Sequence, residues 1–260
     1  MAGQVYIERE GGLAWVVFDH VERRNAITAE MWQQIPVLAR QLDDDDSVRV
    51  VILRGAGEVA FVSGADISEF EQRRTGAGAA EYDRQNDRAF QAIAQLSRPV
   101  IAMVHGFCIG GGCALALTAD MRFASDDAVF GIPAGRLGLG YGATGLESLV
   151  RAVGFPAAKE LFFSARRFDA ARAASMGLVN QVFAKGDLEA EVRALAEDIA
   201  QNAPLTLRAA KIAFGELSRS SGQRDEEAIA ASIARCFESA DYAEGVRAFL
   251  EKRSPRFQGS

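Results

Sequence analysis

Apolar and polar positions follow strand-like and helix-like patterns in turn along the first half of the chain. Two apolar runs joined by Gly11 and Gly12 predict a hairpin, and Thr28 precedes a helical stretch that reaches about Leu42. Farther on, β-branched runs flank a polar helix predicted over 81–96, which is the pattern of a parallel crossover. The predicted strands cover residues 5–9, 13–18, 48–53, 99–104, 121–124 and 178–183.

Helical periodicity dominates the second half of the chain. Asn202-Ala203-Pro204 and Asp225 provide breaks and caps between alanine-rich amphipathic stretches. These stretches predict helices over residues 157–164, 169–176, 188–201, 205–217, 226–238 and 242–252. We therefore predict an α/β core over residues 1–185 and a helical C-terminal region over residues 186–260.

Composition narrows the classes of function. The chain has 260 residues, 2 His, 3 Cys and a formal net charge of -6, with a pI near 5.2. Because Cys108, Cys113 and Cys236 lack ligand-like spacing, a structural zinc site and a Cys/His nucleophile are disfavoured. The acidic balance disfavours nucleic-acid partners, and no apolar run approaches the ~20 residues of a membrane helix. The odd cysteine count and the lack of a leading apolar segment favour a reduced, cytoplasmic setting.

Two glycine-containing turns follow predicted parallel strands. Residues 61–67 come after the strand at 48–53, and residues 106–113, with Gly110, Gly111 and Gly112, come after the strand at 99–104. Open α/β sheets bind ligands at these carboxyl ends. Glycines that open a helix leave backbone N–H groups uncovered, which suits a phosphate or an oxygen that becomes negative during a reaction. A tight turn for close strand–helix packing is the alternative interpretation.

Six segments, in this order, resemble the crotonase family, also called the enoyl-CoA hydratase/isomerase family. They are RRNAI at 23–27, SGADI at 63–67, GFCIGGGC at 106–113, FGIP at 130–133, RAVG at 151–154 and FLEKRSP at 249–255. The resemblance covers nearly the whole chain. It implies an α/β fold with a ββα spiral core, a helical C-terminal part used in trimerisation, and an acyl-CoA thioester substrate.

The resemblance also implies the residues of the site. It assigns the backbone N–H groups of Ala65 and Gly111 to an oxyanion hole around the thioester oxygen. Coenzyme A then enters as part of the substrate, with no separate cofactor and no metal. The residues implied to hold it are Arg24, Asn25, Ala26, Asp66, Ile67 and Ser68, together with Lys252 as a phosphate contact from a neighbouring subunit.

The chain departs from the family's hydratases at two positions. Those enzymes carry one glutamate directly after the Gly-Gly-Gly-Cys segment and another after the proline of the Phe-Gly-x-Pro segment. Here the two positions are Ala114 and Ala134, which have no titratable atom. A positioned general acid or base contributes about 10²–10⁴ in rate, so two-glutamate hydration cannot operate in this chain. The proton-moving groups are missing or replaced.

Several residues are candidates for the replacement. Tyr141 stands where most family hydratases have proline, and it resembles the position of an active-site tyrosine in the methylmalonyl-CoA decarboxylase branch. A phenol there can bind a carboxylate or protonate an enolate, whereas a ring packed under the turn is the alternative. That branch has a histidine where Ala65 stands here. Glu69, Glu81 and Glu147 are further candidates, each with the alternative of a solvated helix residue.

Three functions remain open at this point. The first is an acyl-CoA lyase of the decarboxylase type, in which Tyr141 orients or protonates an enolate. The second is a hydratase or isomerase whose acid or base comes from an unexpected position. The third is a non-catalytic acyl-CoA-binding protein. Residues 73–84 are a candidate lid over the acyl group, and we expect a homotrimer or a dimer of trimers.

Overall fold

Two β-sheets form the framework of the protein. The computed structural model describes residues 3–69 and 77–260, and ten strands lie within these ranges. In chain order they are β1 Gln4–Glu10, β2 Leu13–Asp19, β3 Val50–Gly55, β4 Ala60–Val62, β5 Val100–Val104, β6 Phe107–Ile109, β7 Met121–Ser125, β8 Val129–Gly131, β9 Arg167–Asp169 and β10 Gln181–Phe183.

The main sheet has six strands in the order β1-β2-β3-β5-β7-β10. β1 and β2 form the predicted antiparallel hairpin, and all the other neighbouring strands are parallel. The six strands predicted from the sequence are therefore confirmed. Leu178 and Val179, predicted within the last strand, lie just before β10 and are buried.

A second sheet, in the order β4-β6-β8-β9, is absent from the sequence-based prediction. Its strands have three residues each, which is too short to show an alternating pattern. The segment 106–113, predicted as one turn, therefore contains β6 as well as the start of a helix. The successive pairs β3/β4, β5/β6 and β7/β8 give one strand to each sheet, which confirms the expected ββα spiral.

Ten α-helices lie in the described ranges, and the predicted helices are confirmed. The helix predicted over 81–96 begins earlier, at Ala77, and the long fifth helix bends at Gly154, where φ is +70°. None of these helices is both long and apolar enough to cross a membrane. In chain order they are α1 Ala29–Asp43, α2 Ala77–Ala94, α3 Gly111–Thr118, α4 Ala134–Leu137, α5 Ala143–Ser164, α6 Ala170–Ser175, α7 Leu188–Ala200, α8 Pro204–Leu217, α9 Glu226–Phe237 and α10 Ala240–Glu251.

Both faces of the main sheet are buried, as strand β2 illustrates. Its alternate side chains Ala14, Val16 and Phe18 join a large apolar cluster that includes residues of α1 and of the second sheet. The side chains between them join a second cluster, which α7 covers. Helix α7 therefore packs on the main sheet, although it lies beyond residue 185. The division of the chain at that residue stays a prediction.

His105, directly after β5, is a buried titratable group within this framework. Its side chain is 7% exposed, and its Nε2 atom has no hydrogen-bond partner among the described residues. Burial lowers the pKa of His105, and the positive charge of Lys185 acts in the same direction while Asp127 opposes it. The folded protein therefore favours a neutral imidazole at this position.

We predict that the free energy of unfolding falls when the pH drops below the ordinary histidine pKa of about 6.5. Between that value and the lower pKa of folded His105, the unfolded chain binds a proton that the folded chain does not. Urea unfolding across this pH range should show a smaller decline for His105→Gln than for the unmodified protein. An identical decline in both proteins would contradict the assignment.

Candidate functional site

The first predicted glycine turn connects β4 to a short 3₁₀ helix, Ile67–Glu69. We call residues 63–66 the Ala65 turn. Gly64 has φ +111°, a conformation that other residues rarely adopt. The Ile27 amide donates to Gly64 O at 2.8 Å, and the Asp66 amide donates to Ile27 O at 2.9 Å. These bonds fix the turn on either side of Ala65.

The second turn, residues 110–112, is called the Gly111 turn and connects β6 to α3. Gly110 precedes α3 with φ +55°, and its amide donates to Gly131 O at 2.8 Å. Gly111 is the first helical residue, so its amide has no acceptor within the helix. A Cβ on Gly112 would lie 2.0 Å from Val62 O, so only glycine permits this approach of α3 to β4.

This approach brings the two turns together. A Cβ on Gly111 would lie 3.6 Å from the Ala65 nitrogen, and a Cβ on Gly64 would lie 3.9 Å from the Gly111 nitrogen. Within residues 3–69 and 77–260, neither the Ala65 amide nor the Gly111 amide donates a hydrogen bond. Two neighbouring amides without acceptors, one of them at a helix N-terminus, can bind an oxygen that carries negative charge.

The two alanines at the positions where the resemblance predicts glutamates lie near the same turn. Ala114 belongs to the first turn of α3, and its amide donates to Gly110 O at 3.1 Å. Pro133, which precedes Ala134, has its Cδ atom 3.8 Å from the position of a Cβ on Gly110. Ala134 is buried. Ala114 and the residue before Ala134 therefore lie next to the Gly111 turn, and neither alanine has a titratable atom.

The three candidate glutamates each have partners within the chain. Glu69 lies four residues after Ala65, and its Oε2 atom accepts a hydrogen bond from the Ala29 amide at 2.8 Å. The partly buried Glu81 forms an ion pair with Arg84 at 2.7 Å. The exposed Glu147 forms one with Arg151. The last two pairs are the solvated helix contacts expected under the alternative interpretation.

Tyr141 lies in the segment between α4 and α5 and is partly buried. Its ring packs edge-on against Phe162 with 5.1 Å between the ring centroids, and Gly145 lies close to the same ring. This packing corresponds to the alternative in which the ring is held under the turn, while a catalytic role for the hydroxyl stays a prediction. Of the candidate lid, residues 77–84 belong to α2, and residues 73–76 lie outside the described residues.

The predicted coenzyme A segments lie next to each other. The Ser63 amide donates to Arg24 O at 3.1 Å, which joins residues 24–26 to the Ala65 turn. Arg24 places its guanidinium 4.8 Å from the centre of the Phe107 ring. Lys252 lies far along the chain from these segments, directly after α10, with φ +54°.

Asn25 and Asp66 use their side chains within the protein. The buried Asn25 donates to Ala56 O at 2.9 Å and to Ala60 O at 2.7 Å, while its Oδ1 atom accepts from the His20 amide. Asp66 accepts hydrogen bonds from the amide and hydroxyl of Ser68 at the start of the 3₁₀ helix. The side chain of Asn25 is therefore not available to a ligand, whereas Ile67 and Ser68 are exposed.

Sequence reasoning missed an aromatic cluster beside the Gly111 turn. The edge of the Trp32 ring faces Gly111, and its indole N–H donates to the Tyr82 hydroxyl at 3.2 Å. The Trp32 ring also packs against Phe90, with 5.2 Å between the ring centroids. Helical periodicity identifies these residues only as buried faces of α1 and α2. The contact of Trp32 with the Gly111 turn depends on tertiary packing.

Cysteine and metal chemistry have little support at the site. Burial raises the pKa of the Cys108 thiol well above its ordinary value, and Cys113 Sγ donates to Cys108 O at 2.8 Å. Among the described residues, no three His, Cys, Asp or Glu side chains converge in the way that a metal ion requires.

Comparison with known proteins places this geometry in a family. The family model for enoyl-CoA hydratase/isomerase matches residues 8–260. The short-chain-enoyl-CoA hydratase of Clostridium acetobutylicum is 35% identical over 249 residues, which cover 96% of this chain and 95% of that protein. The crotonyl-CoA hydratase of Syntrophomonas wolfei is 35% identical over 253 residues, which cover 97% of each chain.

Solved structures show the same fold. The enoyl-CoA hydratase/carnithine racemase from Magnetospirillum magneticum superposes with a TM-score of 0.94 at 35% identity, covering 98% of this chain and 96% of that one. The enoyl-CoA hydratase of Bacillus anthracis superposes with a TM-score of 0.92 at 29% identity, covering 98% and 99%. These matches confirm the crotonase fold inferred from the sequence. The chain therefore belongs to the enoyl-CoA hydratase/isomerase family and is an acyl-CoA enzyme.

Proposed function

We propose that the protein binds the thioester oxygen of an acyl-CoA between the amides of Ala65 and Gly111 and stabilises the enolate that forms there. The observation that carries the proposal is a pair of adjacent amides that donate no hydrogen bond within residues 3–69 and 77–260, together with alanine at positions 114 and 134. The site then stabilises negative charge without the family's two glutamates.

The physical basis is the change in charge at one oxygen. When an acyl-CoA loses a proton from its α-carbon, or an α-carboxylate group leaves as CO2, the electron pair of the broken bond moves onto the thioester oxygen, which becomes an enolate oxygen. Hydrogen bonds from two fixed donors to that oxygen are stronger in the transition state than in the ground state. The two donors therefore lower the activation barrier. Because both donors are backbone amides held by neighbouring hydrogen bonds, they need no reorganisation during the reaction.

Two-glutamate hydration is disfavoured by what surrounds the amides. Adding water across a double bond requires one group to take a proton from water and another to deliver a proton to the α-carbon. Ala114 and Ala134 can do neither, while Glu81 and Glu147 are paired with arginines. Asp66, next to Ala65, accepts hydrogen bonds from Ser68, and Glu69 caps the first helix. The hydratase names of the relatives therefore do not transfer directly to this chain's reaction.

The coenzyme A part of the substrate is proposed to lie along residues 24–26 and 65–68. The hydrogen bond between Ser63 and Arg24 keeps the two segments together, and the exposed guanidinium of Arg24 supplies positive charge for a phosphate. Lys252 is proposed as a second phosphate contact, donated by a neighbouring subunit. Coenzyme A is part of the substrate, and the proposal requires no separate cofactor.

The protein is also proposed to form a homotrimer or a dimer of trimers. Helices α8 to α10 expose large apolar side chains, which is the surface that a subunit interface would bury. These side chains are Ile212, Phe214, Leu217, Ile233, Phe237, Tyr242, Val246, Phe249 and Leu250.

Turnover of several thioesters tests the proposed reaction class. We expect no efficient hydration of crotonyl-CoA, together with turnover of at least one of methylmalonyl-CoA, a β-ketoacyl-CoA and an aromatic acyl-CoA. The reason is that both positions from which a glutamate would activate water are alanine. Product analysis by mass spectrometry provides the measurement. Efficient crotonyl-CoA hydration would contradict the proposal, and binding without any turnover would favour the non-catalytic alternative.

Methylmalonyl-CoA also tests the role of Tyr141. If the phenol orients the substrate carboxylate or protonates the enolate, Tyr141→Phe lowers kcat for decarboxylation at least about tenfold. The ring contact with Phe162 is kept in this variant, so the fold should be preserved. An unchanged kcat would remove Tyr141 from the mechanism.

Gly111→Pro is expected to lower kcat about 10²–10³-fold, because it deletes one donor to the thioester oxygen. Proline is accepted at the first position of a helix, where Gly111 stands. Gly111→Ala is the matched control: it keeps the N–H, and its Cβ would lie 3.5 Å from the nearest atom, an ordinary contact. Steady-state kinetics should separate the two variants, and equal activity in both would contradict a donor role for this amide.

Phe249→Glu is expected to reduce the mass of the assembly in solution, because it places a charge on the exposed apolar surface of α10. Phe249 is 83% exposed in the single chain. Val37→Glu serves as a control on another helix, since Val37 is 58% exposed on α1 and lies outside the proposed interface. Light scattering after size exclusion measures the mass. A monomeric unmodified protein, or an unchanged mass for Phe249→Glu, would count against the proposed interface.

A further inference from the structure

Three hydrogen bonds join the start of α1, and Ile27 just before it, to residues 64–69. Ile27 exchanges backbone hydrogen bonds with Gly64 and Asp66 at 2.8 and 2.9 Å. The Ala29 amide, at the N-terminus of α1, donates to Glu69 Oε2 at 2.8 Å. Whatever α1 contacts farther along its length is therefore held at a fixed position relative to the Ala65 amide.

Trp32, in the first turn of α1, reaches the other turn. Its Cζ2 and Cη2 atoms lie 3.5 and 3.7 Å from the position of a Cβ on Gly111, and its side chain is 1% exposed. Gly111 has no side chain of its own, so the indole edge occupies the space beside that backbone. The chain entering α1 thus contacts the Ala65 turn through Ile27, and α1 faces the Gly111 turn through Trp32.

Two residues of α2 hold the indole in this orientation. The Trp32 Nε1–H group donates to the Tyr82 hydroxyl at 3.2 Å in a buried environment. Phe90 packs against the indole with 5.2 Å between ring centroids and 76° between the ring planes. Rotating the indole away from Gly111 would break a buried hydrogen bond and an aromatic contact, which is costly.

We infer that Trp32 is a positioning residue for the oxyanion hole. Its indole, held by Tyr82 and Phe90, sets the position of the Gly111 amide relative to the Ala65 amide. The inference rests on the proposed function of these two amides. It predicts that loss of the indole leaves both donors present but misplaced, and displacements of about 1 Å can cost about 10²-fold in rate.

Absorption of bound cinnamoyl-CoA provides a readout of donor geometry that does not depend on the reaction. Hydrogen bonds to the thioester oxygen polarise the conjugated acyl group and shift its absorption to longer wavelength. We expect this red shift with the unmodified protein and a smaller shift with Trp32→Phe. For a thioester that the protein turns over, Trp32→Phe should lower kcat about tenfold or more with little change in KM.

Trp15→Phe is the matched control, because Trp32 and Trp15 are the two tryptophans of the chain. Trp15 is 3% exposed in the cluster on the other face of the main sheet, and its Nε1 atom has no hydrogen-bond partner among the described residues. This control should keep both the red shift and kcat, whatever it costs in stability. Tyr82→Phe removes the hydroxyl that accepts from the indole and keeps the ring, so it tests the inference if Trp32→Phe does not fold.

The outcomes separate this inference from the function on which it rests. A red shift that Trp32→Phe and Tyr82→Phe both retain in full would overturn the positioning role while leaving the oxyanion hole intact. Equal losses in Trp32→Phe and Trp15→Phe would also overturn it, since the effect would then reflect general core packing. No red shift in the unmodified protein would contradict the oxyanion hole itself.

Discussion

The close approach of α3 to β4 is the constraint on which the site depends. A Cβ on Gly112 would lie 2.0 Å from Val62 O, so the helix can reach the strand only because this residue is glycine. The approach places the first amide of α3 beside the Ala65 turn. Gly110 and Gly64, with φ of +55° and +111°, allow the chain to enter α3 and leave β4 in the required directions.

A site built from backbone amides has consequences for the chemistry. The amides of Ala65 and Gly111 carry no proton that a reaction at neutral pH could use, so the proposed oxyanion hole stabilises charge without moving protons. The resemblance to the family's hydratases predicts glutamates that move protons at positions 114 and 134, and here both residues are alanine. We therefore propose that the chain keeps the part of the family's machinery that depends on the fold and lacks the part that depends on those two side chains.

Periodicity and turn chemistry predicted the main sheet and the helices, because long apolar patterns and caps such as Thr28 are local signals. The second sheet escaped prediction because its strands have three residues each. Motif resemblance predicted an oxyanion hole at Ala65 and Gly111, and the structure brings the two turns together. The Trp32–Tyr82 contact joins residues 50 positions apart. Asn25, which was expected at coenzyme A, instead donates hydrogen bonds to the backbone at Ala56 and Ala60. These two contacts depend on tertiary packing, which local sequence patterns do not predict.

The most direct test of the central claim is the ¹³C NMR signal of an acyl-CoA labelled at the thioester carbonyl. Two donors at the thioester oxygen withdraw electron density from the carbonyl carbon, so its signal should move downfield when the ligand binds. We predict this shift for the unmodified protein and for Gly111→Ala, and a smaller shift for Gly111→Pro. A bound ligand whose carbonyl signal stays at its value in free solution would contradict an oxyanion hole at Ala65 and Gly111.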